Sequence, residues 1–170
     1  MINNTSNKHE YDAIIVGAGF AGLYQLICLR DQLGLNCLVI ETGDDVGGTW
    51  YWNRYPGARC DTESHAYSYY FSEELLKEWT WSERYPGHAE IRKYINFVAD
   101  KFDLKKNILF NEKVINAEFN DSSNKWNLAT SNKNHFQAKF LIAAVGCLSN
   151  TNIPKIKGLD TFEGKYYHTG

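Results

Sequence analysis

Cysteine is scarce in this sequence. Its four cysteines, Cys28, Cys37, Cys60 and Cys147, lie far apart, and no two of them form a Cys-x-x-Cys pair. This spacing argues against a zinc site and against a disulfide framework, and it fits reduced thiols in the cytoplasm. We therefore predict no metal site.

Long apolar runs and an excess of positive charge are also missing. The longest apolar runs, Ala13–Val16 and Phe140–Val145, are far too short to cross a bilayer, and the polar first ten residues lack a signal-peptide core. The formal net charge of −2 gives no attraction to nucleic acid or to an anionic membrane. We expect a cytoplasmic protein without either partner.

Aromatic residues, in contrast, are abundant. They make up 15% of the 170 residues and include five Trp and eleven Tyr. Such side chains can line a pocket for a planar cofactor, but they can equally fill a large core. The chain is long enough for one domain, or for one domain and the start of another.

The N-terminal region has the pattern of a βαβ unit. An apolar strand is predicted over Tyr11–Val16, a helix over Phe20–Leu33 and a second buried strand over Asn36–Glu41. Gly34 supplies a stop signal after the helix. Strand, helix and strand in such a short span indicate two adjacent parallel strands.

A long Gly- and Trp-rich loop follows at Thr42–Ser72, and a loop of this length in a compact domain is usually functional. Helices are predicted at Ser72–Trp79 and Ala89–Phe102. The tetrapeptide Arg-Tyr-Pro-Gly starts at both Arg54 and Arg84, but because the flanking residues differ we interpret the repetition as coincidence.

The remainder changes to short strands. Alternating segments with turn residues between them predict an antiparallel meander, and an apolar strand then ends at Gly146. The predicted strands are Val114–Phe119, Trp126–Thr130, Phe136–Lys139 and Phe140–Val145. The fold class is therefore α/β: a Rossmann-like dinucleotide-binding domain with a parallel sheet and an inserted antiparallel β-meander.

The turn after the first strand carries the motif Gly17-x-Gly19-x-x-Gly22. The first glycine permits a tight turn, the second lets the backbone approach a pyrophosphate, and the third lets helix and strand pack closely. Glu41, 19 residues after Gly22, ends the second strand, where a carboxylate accepts hydrogen bonds from ribose hydroxyls. The motif has the flanking strand, helix and acid that dinucleotide binding requires.

The residues after Glu41 favour FAD over NAD. The segment Gly47-Gly48-Thr49-Trp50 resembles the flavoprotein loop that runs along the flavin half of the cofactor, and the meander resembles the insertion in flavoproteins that bind two dinucleotides.

The segment GDDVGGTWYWNRYPGARCDTESHAYSYYF, residues 43–71, resembles the flavin loop of the Baeyer–Villiger monooxygenases, which belong to the flavin-containing monooxygenase superfamily. The likeness extends through SEELLKEWTWSERYP and EIRKYINFVADKFDL. Near the end, Phe162-x-Gly164-x-x-x-His168 reproduces most of the family fingerprint Phe-x-Gly-x-x-x-His-x-x-x-Trp. The resemblance covers the chain from about Tyr11 onward.

This resemblance implies an enzyme that uses FAD, NADPH and O₂ to insert oxygen beside a ketone carbonyl, via a peroxyflavin, giving an ester or lactone. It also implies which residues contact the cofactors. They are Gly17, Gly19, Phe20 and Gly22 at the pyrophosphate, Glu41 at the ribose, Gly48, Thr49, Trp50 and Trp52 along the flavin, Tyr67 near the isoalloxazine, Val114 near the adenine, and Arg59, Cys60 and Asp61 near flavin and nicotinamide.

Asp61 is the catalytic candidate. In the family, an Asp of the Ala-Arg-Cys-Asp segment orients an arginine from the later NADP domain, and a carboxylate–guanidinium pair fixes both geometry and charge. The alternative is a loop carboxylate that caps a backbone N–H. The fingerprint gives His168 a role in linking domains, whereas a lone histidine in this position is otherwise simply solvated.

One feature of the complete family is missing, namely a second Gly-x-Gly-x-x-Gly motif for NADP. We therefore expect a disordered tail at residues 1–10, an FAD-binding domain at 11–150, and a linker with the truncated start of the NADP-domain junction at 151–170. The chain alone should not complete the oxygenation. Two alternatives stay open: a flavin monooxygenase that oxidises nitrogen or sulfur, and a non-catalytic truncated FAD-binding module.

Overall fold

A computed structural model describes residues 9–169, and its centre is one six-stranded sheet. The strands are β1 (His9–Val16), β2 (Cys37–Ile40), β3 (Ile108–Leu109), β4 (Val114–Asn120), β5 (Lys125–Thr130) and β6 (His135–Ala143). The α-helices are α1 (Phe20–Ile27), α2 (Thr49–Trp52), α3 (Glu73–Glu78) and α4 (His88–Lys101). A π-helical turn spans Cys28–Gln32, and 3₁₀ turns span Lys105–Asn107 and Leu159–Thr161.

The sheet has the strand order β3-β2-β1-β6-β5-β4. Strands β3, β2, β1 and β6 are parallel, and β4, β5 and β6 form an antiparallel meander. The predicted α/β fold, with a parallel sheet and an antiparallel meander, is confirmed. Because β1 lies between β2 and β6, the turn that follows it lies at the centre of one sheet edge.

The meander and the last apolar strand were predicted as separate strands, and this division is wrong. Phe136–Lys139 and Phe140–Ala143 form the single strand β6, and its residues 135–138 pair with β5 while 136–143 pair with β1. The change from alternating to apolar residues reflects a change in packing partner along one continuous strand. The alternation of apolar and polar residues reflects how far each face of a strand is buried. It does not show whether two such segments belong to one strand.

The N-terminal βαβ unit forms as predicted, with small differences at its ends. Strand β1 begins at His9, so His9 and Glu10 are not part of a tail, and the rest of the predicted tail lies outside the described residues. The helix after β1 becomes π-helical in its last turn, and Gly34 then takes a left-handed conformation (φ +66°) that ends it.

One core lies between the sheet and helices α1 and α4. Leu23 and Leu26 of α1 pack with Ala13 and Ile15 of β1 and with Ile95 of α4 in the same buried cluster, and each of these side chains is inaccessible to solvent. The apolar residues recur at helical spacing on α1 and α4, so each helix presents one buried face.

Eight of the aromatic residues form a second cluster, which contains Phe20 and seven residues between Tyr69 and Phe102. Tyr94 lies at its centre and has ring contacts with Phe20, Tyr69, Trp79 and Trp81 at centroid distances of 5.0–6.1 Å. The Tyr94 hydroxyl also accepts a hydrogen bond from the backbone N–H of Tyr69 at 2.8 Å. These aromatic residues therefore form protein core.

The second Arg-Tyr-Pro-Gly segment packs against the residues that follow the first. The N–H of Cys60 donates to the carbonyl of Pro86 at 3.0 Å, and the N–H of His88 donates to the carbonyl of Ala58 at 2.9 Å. The two copies adopt no common structure, because the second leads into α4 while the first leads into an extended segment. Between residues 9 and 169, no helix has the length and apolar character needed to traverse a bilayer.

Candidate functional site

The site begins at the turn between β1 and α1. Gly17 has φ +104°, and its N–H donates to the carbonyl of Ile40 at 2.9 Å, which joins the ends of β1 and β2. A Cβ at Gly22 would lie 1.9 Å from the carbonyl oxygen of Gly17. No side chain fits at that distance, so α1 can pack this closely on the turn only if position 22 is glycine.

A second glycine loop, which we define as Gly43–Gly48, contacts the first glycine loop, Gly17–Gly22, through backbone alone. The N–H of Gly47 donates to the carbonyl of Ala18 at 3.1 Å. Gly48 has φ +52°, and a Cβ there would lie 2.8 Å from the Cα of Gly19. The two loops therefore meet without any side chain between them.

Gly19 is also the N-cap of α1 and provides no side-chain cap. The first-turn N–H groups of α1 are consequently left to water or to a ligand, and the partial positive charge of the helix end favours an anion there. Glycine backbone on both sides and an uncapped helix fit the pyrophosphate of a dinucleotide.

The carboxylate of Glu41 links both loops. It is only 5% exposed, and its Oε2 accepts from the N–H of Ala18 at 2.7 Å while its Oε1 accepts from the N–H of Gly43 at 2.7 Å. An ionised carboxylate has about four acceptor positions. Glu41 can therefore hold both loops and still accept bonds from ribose hydroxyls.

The aromatic candidates follow directly after the second glycine loop. The indole N–H of Trp50 donates to the hydroxyl of Tyr67 at 3.1 Å, and the two rings are perpendicular. Phe20 contacts the Tyr67 ring at a centroid distance of 5.0 Å. Thr49 is the first residue of α2, and Trp52 lies at its end with half of its surface exposed.

The phenol of Tyr67 has a raised pKa. Burial is the main cause, the bond from Trp50 opposes it, and the proximity of the acidic groups of Cys60, Asp61 and Cys147 adds to it. The hydroxyl is therefore neutral at physiological pH and accepts a hydrogen bond from the indole N–H of Trp50.

The Arg59–Asp61 segment runs along the edge of this group. Cys60 is buried, whereas Arg59 points outward and donates to the carboxylate of Glu83 and to the carbonyl of Tyr85. Asp61 is exposed, and within residues 9–169 its carboxylate forms no hydrogen bond or ion pair with another residue. The alternative interpretation of Asp61 as a backbone cap therefore finds no donor in the described part of the chain.

Val114 begins β4, opposite Thr130, and is half-buried. It is connected to the rest of the site by Glu112, whose backbone N–H donates to the carbonyl of Glu41 at 2.9 Å. The structure thus places Glu41 and Val114 on neighbouring segments of the same edge.

Glu112 is a site-proximal residue that the sequence analysis missed. Its carboxylate is 3% exposed and accepts bonds from the side-chain amides of Asn132 at 2.5 Å and Asn134 at 3.1 Å. Burial raises the pKa of Glu112, but hydrogen bonds from Thr130, Asn132 and Asn134 outweigh this, so the pKa is lowered. No sequence signal identifies such a residue, because its partners come from the β5–β6 turn.

Tyr51, Asp45 and Arg92 were also missed. Tyr51 lies among the aromatic residues of α2, and only its buried position distinguishes it from the exposed Trp52. Arg92 lies in α4, far from either glycine loop in sequence, and it donates to Asp45 at 3.2 Å. Contacts of this kind depend on how α4 packs, which a local pattern cannot show.

An open cavity of about 530 Å³ lies elsewhere, beside α1 and the second aromatic cluster. Its lining residues are Phe20, Ala21, Tyr24, Ser68, Tyr69, Tyr70 and Phe71. Of the predicted cofactor residues, only Phe20 contributes to it. The cavity therefore does not coincide with the meeting point of the glycine loops. Within the described residues, no group of three or more His, Cys, Asp or Glu side chains is placed to hold a metal ion.

A parallel βαβ unit with a glycine turn after β1, an uncapped α1 and a carboxylate after β2 defines a dinucleotide-binding domain of the Rossmann type. Residues 14–169 match the family described as pyridine nucleotide-disulphide oxidoreductase, and the chain belongs to this family.

Among curated proteins, the chain is 47% identical over 161 residues to a Baeyer–Villiger monooxygenase of Pseudooceanicola batsensis. The aligned residues make up 95% of this chain and 30% of that protein. It is 44% identical over 170 residues to the phenazine N-monooxygenase PhzNO1 of Lysobacter antibioticus, covering 100% of the chain and 31% of that protein. The resemblance to Baeyer–Villiger monooxygenases is confirmed, and the chain spans about a third of the length of these relatives.

Solved structures give the same result. The closed crystal structure of cyclohexanone monooxygenase superposes with a TM-score of 0.88 at 44% identity, covering 96% of this chain and 31% of that one. A crystal structure of OTEMO in complex with FAD and NADP gives a TM-score of 0.83 at 43% identity, covering 94% of this chain and 30% of that one.

Proposed function

We propose that these 170 residues bind FAD and form the FAD-binding portion of an NADPH- and O₂-dependent Baeyer–Villiger monooxygenase that acts on a small ketone. The observation that carries the proposal is the backbone contact between the two glycine loops beside the buried carboxylate of Glu41. That arrangement fits a pyrophosphate and an unphosphorylated ribose. The structures of relatives with FAD and NADP support the choice of cofactors.

When bound, the flavin supplies redox chemistry that the side chains of this chain lack. The chain's own groups bind and orient the cofactor. Glu41 would accept hydrogen bonds from the ribose, and the N–H groups at the start of α1 would hold the phosphates. Trp50 donates to the hydroxyl of Tyr67, and this pair would contact the flavin half. Trp52, with half of its surface exposed, would contact the same side of the cofactor.

We place Asp61 as a positioning carboxylate for an arginine in a protein of the relatives' length. Its exposed side chain has no protein partner within residues 9–169, which leaves it free to orient a cation. The chain contains one glycine motif for a dinucleotide, so we expect no sustained ester formation from NADPH and a ketone by these 170 residues alone. Unpaired cysteines at all four positions fit a cytoplasmic location.

The test is the visible absorption spectrum of the purified chain after incubation with FAD and desalting. We expect a retained, structured flavin spectrum for the wild type. Glu41→Ala should lose the flavin, because the loops lose their shared acceptor and the ribose loses its partner. The matched control Glu118→Ala removes an exposed carboxylate of β4 and should retain it. A wild-type chain that is folded by circular dichroism but colourless would contradict FAD binding by these residues.

The second candidate is oxidation of nitrogen, which the phenazine N-monooxygenase favours with 44% identity over the whole chain. This value lies close to the 47% for the Baeyer–Villiger relative, so identity over these residues does not separate the two reactions. The Gly43–Phe71 segment and the Phe162-x-Gly164-x-x-x-His168 string favour the ketone reaction. A protein as long as these relatives would distinguish the two reactions by its turnover of a cyclic ketone compared with its turnover of phenazine.

A further inference from the structure

The second glycine loop is bonded to Ala18 and to Glu41 at two N–H groups, but its own backbone conformation is unfavourable. Gly47 has φ +143° and Gly48 has φ +52°, conformations that glycine adopts readily but at a high cost in conformational entropy. A segment of this kind needs contacts from elsewhere to keep one geometry.

Tyr51 supplies the first of these contacts. A Cβ at Gly43 would lie 2.8 Å from the Cε1 of the Tyr51 ring, and a Cβ at Gly47 would lie 2.9 Å from the Cβ of Tyr51. The Tyr51 hydroxyl donates to Oδ1 of Asp44 at 2.8 Å. The side chain is only 8% exposed. It packs near Gly43 and Gly47, and it forms a hydrogen bond with Asp44 between them.

Arg92 supplies the second contact, from α4. Its guanidinium carbon lies 4.9 Å from the centroid of the Tyr51 ring, within the range of a cation–π interaction, and Nη2 lies 3.2 Å from Oδ2 of Asp45. One side chain of α4 thus contacts both the loop and the tyrosine that packs on it.

Asp45 is held from further directions. It accepts from the amide of Asn96 at 3.1 Å, and Lys105 lies 3.5 Å from its other oxygen. Burial raises the pKa of Asp45, but the N–H of Val46, Asn96, Lys105 and Arg92 together lower it. The carboxylate is therefore ionised at neutral pH and can keep its cationic partners.

We propose that Tyr51, Asp45 and Arg92 form a clamp that holds the second glycine loop against the first, so that these three side chains are positioning residues for the cofactor's pyrophosphate. The proposal rests on the proposed function, because the loop so held is the one that contacts Ala18 and Gly19. Without the clamp, binding FAD would also have to order the loop.

The test compares Tyr51→Phe and Arg92→Gln in the full 170-residue chain. Tyr51→Phe removes the bond to Asp44 but keeps the ring, and we expect FAD binding to weaken about 5-fold. Arg92→Gln removes one cation from each partner, leaving Lys105 at Asp45 and Arg54 at the Tyr51 ring, and we expect FAD binding to weaken about 10-fold. The dissociation constant is measured by quenching of flavin fluorescence, at a temperature where every variant is fully folded.

Two control variants test whether the loss of any positive charge or tyrosine hydroxyl near the site weakens FAD binding, irrespective of the clamp. Lys93→Gln removes an exposed positive charge from the neighbouring position of α4, and Tyr55→Phe removes the hydroxyl of a 41% exposed tyrosine. Both should bind FAD as the wild type does. Amide-hydrogen exchange without FAD provides a second readout: residues 43–48 should exchange faster in the two clamp variants and at the wild-type rate in the controls.

The outcomes distinguish this inference from the proposed function. A wild type that binds no FAD contradicts the proposed function, and hydrogen exchange then still decides whether the clamp exists. Unchanged exchange at residues 43–48 in both clamp variants overturns the clamp. Faster exchange with an unchanged dissociation constant overturns the positioning role, because the loop would then be held without affecting the cofactor.

Discussion

The two glycine loops of the site meet each other but are fixed in different ways. The first, Gly17–Gly22, is fixed mainly by backbone contacts, since the N–H of Gly17 bonds Ile40 at the end of β2 and Gly22 lies directly on Gly17, and the carboxylate of Glu41 bonds Ala18. The second, Gly43–Gly48, shares the backbone bond to Ala18 but is held in addition by side chains, and one of them, Arg92, is more distant in sequence. Both loops should therefore be sensitive to added volume, most of all at Gly22, and the second should in addition be sensitive to lost hydrogen bonds and charge.

The largest effect should come from added volume in the first loop. Gly22→Ala would place a Cβ 1.9 Å from the carbonyl oxygen of Gly17, and backbone must move to accommodate it. We expect a loss of about 3 kcal/mol in the free energy of unfolding, measured by urea denaturation. Gly34→Ala is the control: it has open space around the new methyl and only a left-handed φ to strain, so about 1 kcal/mol should be lost. Equal losses would show that packing at Gly22 is not the constraint.

A smaller loss in the free energy of unfolding is expected beside the second loop, where the contact to be removed is a hydrogen bond between two side chains. Tyr67→Phe removes the acceptor of the Trp50 indole N–H and leaves that donor buried without a partner. We expect a loss of about 2 kcal/mol in the free energy of unfolding, with the first loop's hydrogen exchange unchanged. Tyr166→Phe, at an exposed tyrosine, should cost nothing measurable. If Tyr67→Phe matched this control, the Trp50 bond would not stabilise the fold.

The smallest effect is the response of the second loop to acid. The pKa of Asp45 is lowered below its ordinary 3.8, so its contribution is fully present above 3.8 and is lost as the pH falls through the lower folded value. The side chain is a quarter exposed, and after allowance for solvent screening we expect about 1 kcal/mol. Urea unfolding between pH 6 and about pH 2.5 measures it. Asp45→Asn should reduce the pH dependence in that window, and an unchanged profile would remove Asp45 from the clamp.

Sequence patterns predicted the βαβ unit, the glycine turn and Glu41 because these features are local. Each glycine has a distinct steric role within a few residues of the others, and the carboxylate follows at the end of the next strand. The aromatic surplus was ambiguous for the opposite reason. Whether Tyr94 or Trp81 lines a pocket or fills a core depends on what packs over it, and here both belong to the core cluster around Tyr94.

The continuity of β6 could not be predicted from its sequence. Its first half pairs with β5 and its second half with β1 alone, so one strand carries two hydrophobic patterns. A change in periodicity therefore marks a change in the strand's neighbours and not the start of a new strand. Hydrogen-bond pairing, which defines the strand, leaves no trace in that periodicity.

The sequence by itself determined where the chain must turn tightly, which carboxylate ends β2 and which family the Gly43–Phe71 segment resembles. These properties follow from backbone sterics and from a contiguous run of residues. Only the tertiary structure decided that the two glycine loops touch, that Glu41 bonds both, and that Arg92 reaches Asp45 and Tyr51 from α4. Such contacts depend on the packing of helices on the sheet, because burial and distance arise only when segments remote in sequence share one core.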